Sequence, residues 1–405
     1  MCIRDSSAAV PSAAVPSATA ASAAARPVAG RIPLLAFYYV WFDASSWDRA
    51  KIDTPQLGRY TSDDPAVMHQ HIQWAKSAGI DGFVVSWKDT TTNNRRLRLL
   101  MSVAREENFA LAMIYQGLDF NRNPLPATTV KADLLTFQKG FANDPVFLRV
   151  GGKPLTIWSG TWAFSHDEVA SVTAAVRTSM LVLNTEKSVD GYRRIADVTD
   201  GDAYYWSSVN PQTNTTYGSK LVAMAEAIHA RGQYWIAPFA PGFDARLVGG
   251  EKLVERNDGQ TLRTEYAAAL KSSPDALGLI SWNEWSENSY VEPSQKYGQT
   301  ELSVLRELRT AQLPAPAAVA TDSSEPGAGG AGAAGATGTF DAVTLVSSWQ
   351  PLAILAGAVV ALVLGAAFVR VNLMRRAQRP RRRGRRRHED VVRPHPQKEE
   401  VHVQW

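Results

Sequence analysis

Between residues 34 and 285, eight apolar runs of strand length alternate with segments of helical periodicity. A chain patterned this way folds as parallel strands joined by crossover helices. The runs are 34–42, 82–88, 110–117, 154–160, 180–186, 203–208, 234–242 and 276–285. Amphipathic segments such as 65–78 and 219–231 stand between them, and Gly79 and Gly232 follow these two as helix C-terminal signals. Eight βα units in about 280 residues fit an α/β fold of the closed (β/α)8 TIM-barrel type better than an open doubly wound sheet. No glycine-rich phosphate loop follows the first run, which counts against a dinucleotide-binding fold.

The flanks differ from this body. Residues 1–30 are an Ala/Ser/Pro linker with too few large apolar side chains to offset the entropy of ordering. Its opening, Met1-Cys-Ile-Arg-Asp-Ser, has neither the basic start nor the apolar run of a signal peptide and reads as an adapter remnant. The natural start and its export signal are therefore expected upstream. The barrel is expected to occupy 31–313, and a Gly/Ala-rich linker 314–341. Residues 342–369 carry no charged side chain, and the solidly apolar stretch 351–369 spans about 28 Å as a helix, which predicts a single transmembrane helix. Residues 370–405 hold 12 Lys+Arg against 4 Asp+Glu, the composition of a cytoplasmic tail. The expected topology is a single-pass cell-membrane protein with the barrel extracytoplasmic.

With that tail set aside, the formal charge of +4 becomes −4 for everything before Arg370, which argues against a nucleic-acid-binding surface on the body. The only cysteine is Cys2, the histidines are scattered, and no Asp-rich loop has calcium spacing. Neither a metal nor a cofactor is expected, and the barrel is expected to be a monomer.

In such a barrel the C-terminal ends of the strands face the active site. Here the runs change from aliphatic to aromatic and polar at that end. Tyr38, Tyr39, Trp41, Trp87, Tyr115, Trp158, Glu186, Tyr205, Trp206, Asp244, Asn283 and Trp285 are the candidate substrate contacts, with Lys88, Gln116 and Pro241 beside them. Rings around carboxylates suit a carbohydrate, whose faces are apolar and whose rims need hydrogen bonds. Tyr38 and Tyr39 alternate, so only one of them can face the site. His69 and His71, on a predicted helix, are expected to be exposed or capping. Glu284 and Glu287 are the candidate catalytic pair: a helical turn after Trp285 would set them on one face, with Cβ atoms about 5–6 Å apart. Such proximity lets one carboxyl keep its proton while the other is ionised, as glycoside cleavage requires. Solvated glutamates at a surface helix start are the plain alternative, disfavoured by the strand end, the nearby rings and Asn283.

The motifs Phe37-Tyr-Tyr-Val-Trp-Phe, Thr54-Pro-Gln-Leu-Gly-Arg-Tyr, Ala78-Gly-Ile-Asp-Gly-Phe-Val-Val-Ser-Trp, Ala237-Pro-Phe-Ala-Pro-Gly-Phe-Asp and above all Trp282-Asn-Glu-Trp-Ser-Glu follow one another across residues 34–293. In these the chain resembles glycoside hydrolase family 99, the endo-α-mannosidase family, and related barrel glycosidases. The resemblance implies a retaining enzyme in which the substrate's own 2-hydroxyl is the nucleophile. Glu284 would assist deprotonation of that hydroxyl, and Glu287 would be the general acid/base at the glycosidic oxygen. Family members often continue with Glu-Gly-Thr, whereas Asn288-Ser289-Tyr290 follows Glu287 here, in a loop expected to border the pocket. The function expected is an endo-acting α-glycosidase on α-mannosides or a related oligosaccharide or polysaccharide. A glycosidase of other specificity, such as an α-glucanase, a polysaccharide-assembly barrel and a non-catalytic carbohydrate-binding barrel remain the alternatives.

Overall fold

The computed structural model describes residues 31–312. The linkers, the expected membrane helix at 342–369 and the basic tail lie outside the described residues. Among those described, no helix is long and apolar enough to cross a membrane.

Each of the eight apolar runs meets a strand: β1 (Leu34–Tyr38), β2 (Gly82–Trp87), β3 (Ala110–Gln116), β4 (Lys153–Ser159), β5 (Leu181–Leu183), β6 (Gly201–Ala203), β7 (Tyr234–Phe239) and β8 (Ala276–Leu279). All pair in parallel, β1 with both β2 and β8, so the sheet curls back on its first strand. Between β5 and β6 the link is a parallel bridge, Asn184 to Asp202. There Asn184 N–H donates to Gly201 O at 3.0 Å and Ala203 N–H to Asn184 O at 2.8 Å. The result is a TIM-barrel-like α/β scaffold.

The helices are α1 (Pro65–Ser77), α2 (Thr91–Glu106), α3 (Ala127–Gly140), α4 (His166–Thr173), α5 (Val189–Ile195), α6 (Tyr217–His229), α7 (Gln260–Lys271) and α8 (Thr300–Thr310). Helix α1 starts where Asp64 accepts from the Ala66 N–H and Pro65 needs no donor. It ends before Gly79, whose φ of 77° a side chain would disfavour.

Strand alternation sorts the core into two layers. Leu35, Phe37, Val84, Ile114, Ile157, Leu183 and Ile236 point into the barrel. Tyr38, Phe83, Val85, Trp87, Tyr115, Trp158 and Trp235 point out, beneath the helices.

Three local expectations change. The sixth strand ends at Ala203, so residues 204–208 are loop over the barrel mouth and not strand. After Trp285 the chain makes a turn over 285–288 instead of a helix, with Asn288 at a φ of 53°. His71, expected at the surface, is fully buried on the inner face of α1.

Candidate active site

A cleft of about 390 Å³ opens beyond the C-terminal strand ends, with Glu284 and Glu287 in its lining beside Tyr39, Gln116 and Tyr205. The turn carrying the two glutamates is closed by local hydrogen bonds. Glu284 N–H donates to Ser281 Oγ at 2.8 Å, and Ser289 N–H to Glu284 O at 3.3 Å. The short hairpin strand Phe243–Asp244 supports it from the side, where Asp244 N–H donates to Glu287 O at 2.7 Å.

Burial raises the pKa of both carboxyls above the ordinary range. For Glu284, desolvation acts first and the charge of Glu287 second; the Ser286 N–H, donating to its Oε1 at 3.0 Å, and the charge of Lys51 pull back. For Glu287, desolvation is opposed by Arg122. Two such acids titrate as a unit, each making the ionisation of the other harder.

Behind the cleft lies a buried polar network. Glu292 Oε2 accepts from the Tyr60 hydroxyl at 2.8 Å and from Trp285 Nε1–H at 3.0 Å, and His71 Nε2 lies 2.9 Å from Oε1. His71 Nδ1 meets the Tyr38 hydroxyl at 3.1 Å. Asn283 clamps β1: its Oδ1 accepts from Tyr39 N–H at 2.8 Å, and its Nδ2 donates to Tyr39 O at 3.0 Å. The loop bearing the carboxylates is thereby joined to the first strand and the first helix.

Of the candidate substrate contacts, Tyr39, Tyr205 and Trp206 line the cleft with the two glutamates, and the hydroxyls of Tyr39 and Tyr205 hydrogen-bond each other. Trp41 is half-buried, its ring centroid 4.2 Å from that of Tyr39. The others are placed elsewhere, and strand parity is the main reason. Tyr38 stacks on Phe83 in the outer layer. Trp87 donates to Asn94 on α2, Tyr115 to Asp133 on α3, and Trp158 packs on Phe164. Glu186 is buried against Arg194 at 3.1 Å. Asp244 accepts from Arg246 at 2.7 Å, and its part in the site is the backbone contact to Glu287. Asn283 is a clamp. Trp285 is a core ring, 2 % exposed and stacked on Tyr290 at 3.7 Å, so it offers no face to a sugar.

Asn288, Ser289 and Tyr290, expected to border the pocket, are buried and outside its lining; Arg256 holds them by donating to Asn288 O at 3.0 Å and Tyr290 O at 2.7 Å. Conversely, Arg122, Trp162, Lys187, Tyr204 and Lys252 line the cleft without having been singled out. Trp162 sits on the short 3-10 helix Thr161–Ala163 after β4 and the others on loops beyond the strands, where no periodicity marks a residue as facing inward. Tyr204 alone had a signal, as the neighbour of Tyr205.

A TIM-barrel-like scaffold whose mouth holds a pair of desolvated carboxyls among aromatic rings defines the chain as a glycoside hydrolase. Within that class it belongs to glycosyl hydrolase family 99, whose model matches residues 43–306. Among solved structures, the GH99 endo-alpha-mannosidase from Bacteroides thetaiotaomicron in complex with bis-tris-propane is similar. It shares 21% identity at a TM-score of 0.62, over 69% of this chain and 97% of that one. A second structure of that enzyme gives 19% and 0.61 over the same shares. A glycoside hydrolase-like protein follows at 16% and 0.54, over 68% of this chain and 93% of that one. No protein with a curated description matches.

Proposed function

We propose that the chain is a retaining, endo-acting α-glycosidase that cleaves α-mannosides or a closely related polysaccharide. The observation that carries this reading is the pair Glu284 and Glu287, both in the cleft lining and both with pKa values raised by burial. The fold likeness to a bacterial endo-α-mannosidase supports the mannoside.

In the reaction, Glu287 gives its proton to the glycosidic oxygen as the bond to C1 breaks. The sugar's 2-hydroxyl attacks C1 from the other face and loses its proton to Glu284, leaving a 1,2-anhydro sugar. Water then opens that ring at C1, giving a proton to Glu287 while Glu284 returns one to O2. Two inversions give net retention. Bound substrate sets the two roles: a 2-hydroxyl donating to Glu284 favours its carboxylate, and a glycosidic oxygen accepting from Glu287 favours its acid form.

The same proposal places the enzyme outside the cytoplasm on a single C-terminal membrane helix, supported by the apolar stretch 351–369 and the arginines that follow it. Incubating the full chain with α-manno- and α-gluco-oligosaccharides of defined linkage tests the activity. Internal cleavage of the mannosides with the α-anomer as first product is expected. Cleavage confined to α-glucans, or binding with no cleavage of any glycoside, would sink the reading.

A further inference from the structure

We infer that the cleft takes a glycan bearing an oxyanion, a phosphoryl or carboxylate group, and that Arg122 and Lys187 bind that group at the rim. This inference rests on the proposed glycosidase reading and names the substrate class for that site.

Three cationic residues, Arg122, Lys187 and Lys252, line the cleft, and its only acidic residues are Glu284 and Glu287. Even with both glutamates ionised, three cations against two carboxylates leave the lining with more positive than negative formal charge. Everything before Arg370 has the opposite sign, a formal −4. A neutral sugar needs hydrogen bonds and ring faces, and gives no reason to gather cations at the mouth of a cleft in an acidic body.

Among the described residues neither Arg122 nor Lys187 forms an ion pair or a side-chain hydrogen bond, and the neighbouring Glu186 is paired with Arg194.

 Each is nevertheless held in place. Lys187 Nζ sits 3.7 Å from the centroid of the Trp162 ring, which also lines the cleft. Arg122 has a φ of 66°, a conformation that side-chain-bearing residues rarely adopt and that clusters at ligand clamps. Its turn is fastened by Asp119, whose C=O accepts from Arg122 N–H at 3.0 Å and whose Oδ1 accepts from Asn123 N–H at 2.7 Å. Burial first, and then the nearby Arg122, disfavours the charge on Lys187, against a smaller pull from Glu186. An oxyanion between them removes that repulsion and gives both groups a partner. Trp162 beside them supplies a face for the sugar that carries it.

The experiment pairs a neutral α-manno-oligosaccharide with the same oligosaccharide carrying a phosphate in one arm and a uronate in the other. Hydrolysis and direct calorimetric binding are both measured on the full chain, parent and R122Q/K187Q. The parent is expected to favour at least one charged form by about tenfold in kcat/KM and in Kd, the range of a charge-assisted contact. The better arm identifies the oxyanion. In the double variant that charged-to-neutral ratio should fall to about one, and in the parent it should shrink with added salt. Equal handling of charged and neutral forms by the parent, or a ratio unchanged in the variant, overturns the inference. Because the neutral substrate is present throughout, its cleavage without a charge preference sinks this inference alone. Binding of either kind with no cleavage sinks the glycosidase reading and leaves the charge preference to be read from Kd.

Discussion

His71 and Glu292, 221 residues apart in the chain, meet at 2.9 Å with neither side chain exposed. The contact fastens helix α1 to the loop that carries the carboxylate pair. Because Glu292 also accepts from Tyr60 and Trp285, Glu292→Leu would leave both of those buried donors without an acceptor. Each buried donor left unsatisfied costs about 1–3 kcal/mol. A clear drop in the thermal midpoint is expected, together with a fall in kcat. A midpoint and kcat both equal to the parent's would show that the network holds nothing.

The carboxylate pair separates by leaving group. With Glu287 as general acid, Glu287→Gln should slow glycosides with poor leaving groups far more than activated aryl glycosides or glycosyl fluorides. Glu284→Gln should slow both kinds, since attack by the 2-hydroxyl is needed whatever departs. Rates of the two variants on a matched substrate pair, with the product anomer followed by NMR, provide the check. Near-parental rates in both variants refute the assignment, and an inverted product refutes the neighbouring-group mechanism.

Lys51 gives a pH test. Its charge favours the ionised form of Glu284, so Lys51→Met should raise the Glu284 pKa further. The base works only when deprotonated, so the acidic limb of the kcat profile, which reports the substrate complex, should move to higher pH. The alkaline limb, governed by loss of the Glu287 proton, should move less. A shift confined to the alkaline limb would exchange the two roles.

Trp285 looked from its strand-end position like a sugar platform, but its indole is stacked on Tyr290 and donates to Glu292. Trp285→Ala should therefore destabilise the fold by about 3–5 kcal/mol, as large-to-small changes in a packed core do. Denaturant unfolding measures it. A midpoint unchanged from the parent, with only ligand affinity reduced, would return Trp285 to the rim.

For the proposed topology, protease added to intact cells should cut in the Gly/Ala-rich segment at 314–341 and release active barrel, leaving the Arg-rich tail protected. Immunodetection of both ends reads the outcome. A cleaved tail with a protected barrel would reverse the orientation.

Sequence alone determined the alternation of strand and helix, because hydrophobic period is a local property: all eight runs meet a strand, and Gly79 and Gly232 both take positive φ just beyond their helices. It also singled out Glu284 and Glu287, since two glutamates three residues apart at a strand end are visible in one line of text. Which rings face the cleft was decided by the tertiary structure. Tyr38 and Tyr39 are adjacent and chemically alike, yet one stacks on Phe83 beneath the helices and the other lines the cleft. Strand parity says that they differ; only the closed sheet says which of them is inside. Glu292 was just as hidden, because its partners Tyr60 and His71 come from more than 200 residues away and a buried carboxylate is recognised by what surrounds it. The rim cations Arg122 and Lys187 sit on loops with no period at all, and the path of those loops over the barrel mouth brings them to one cleft.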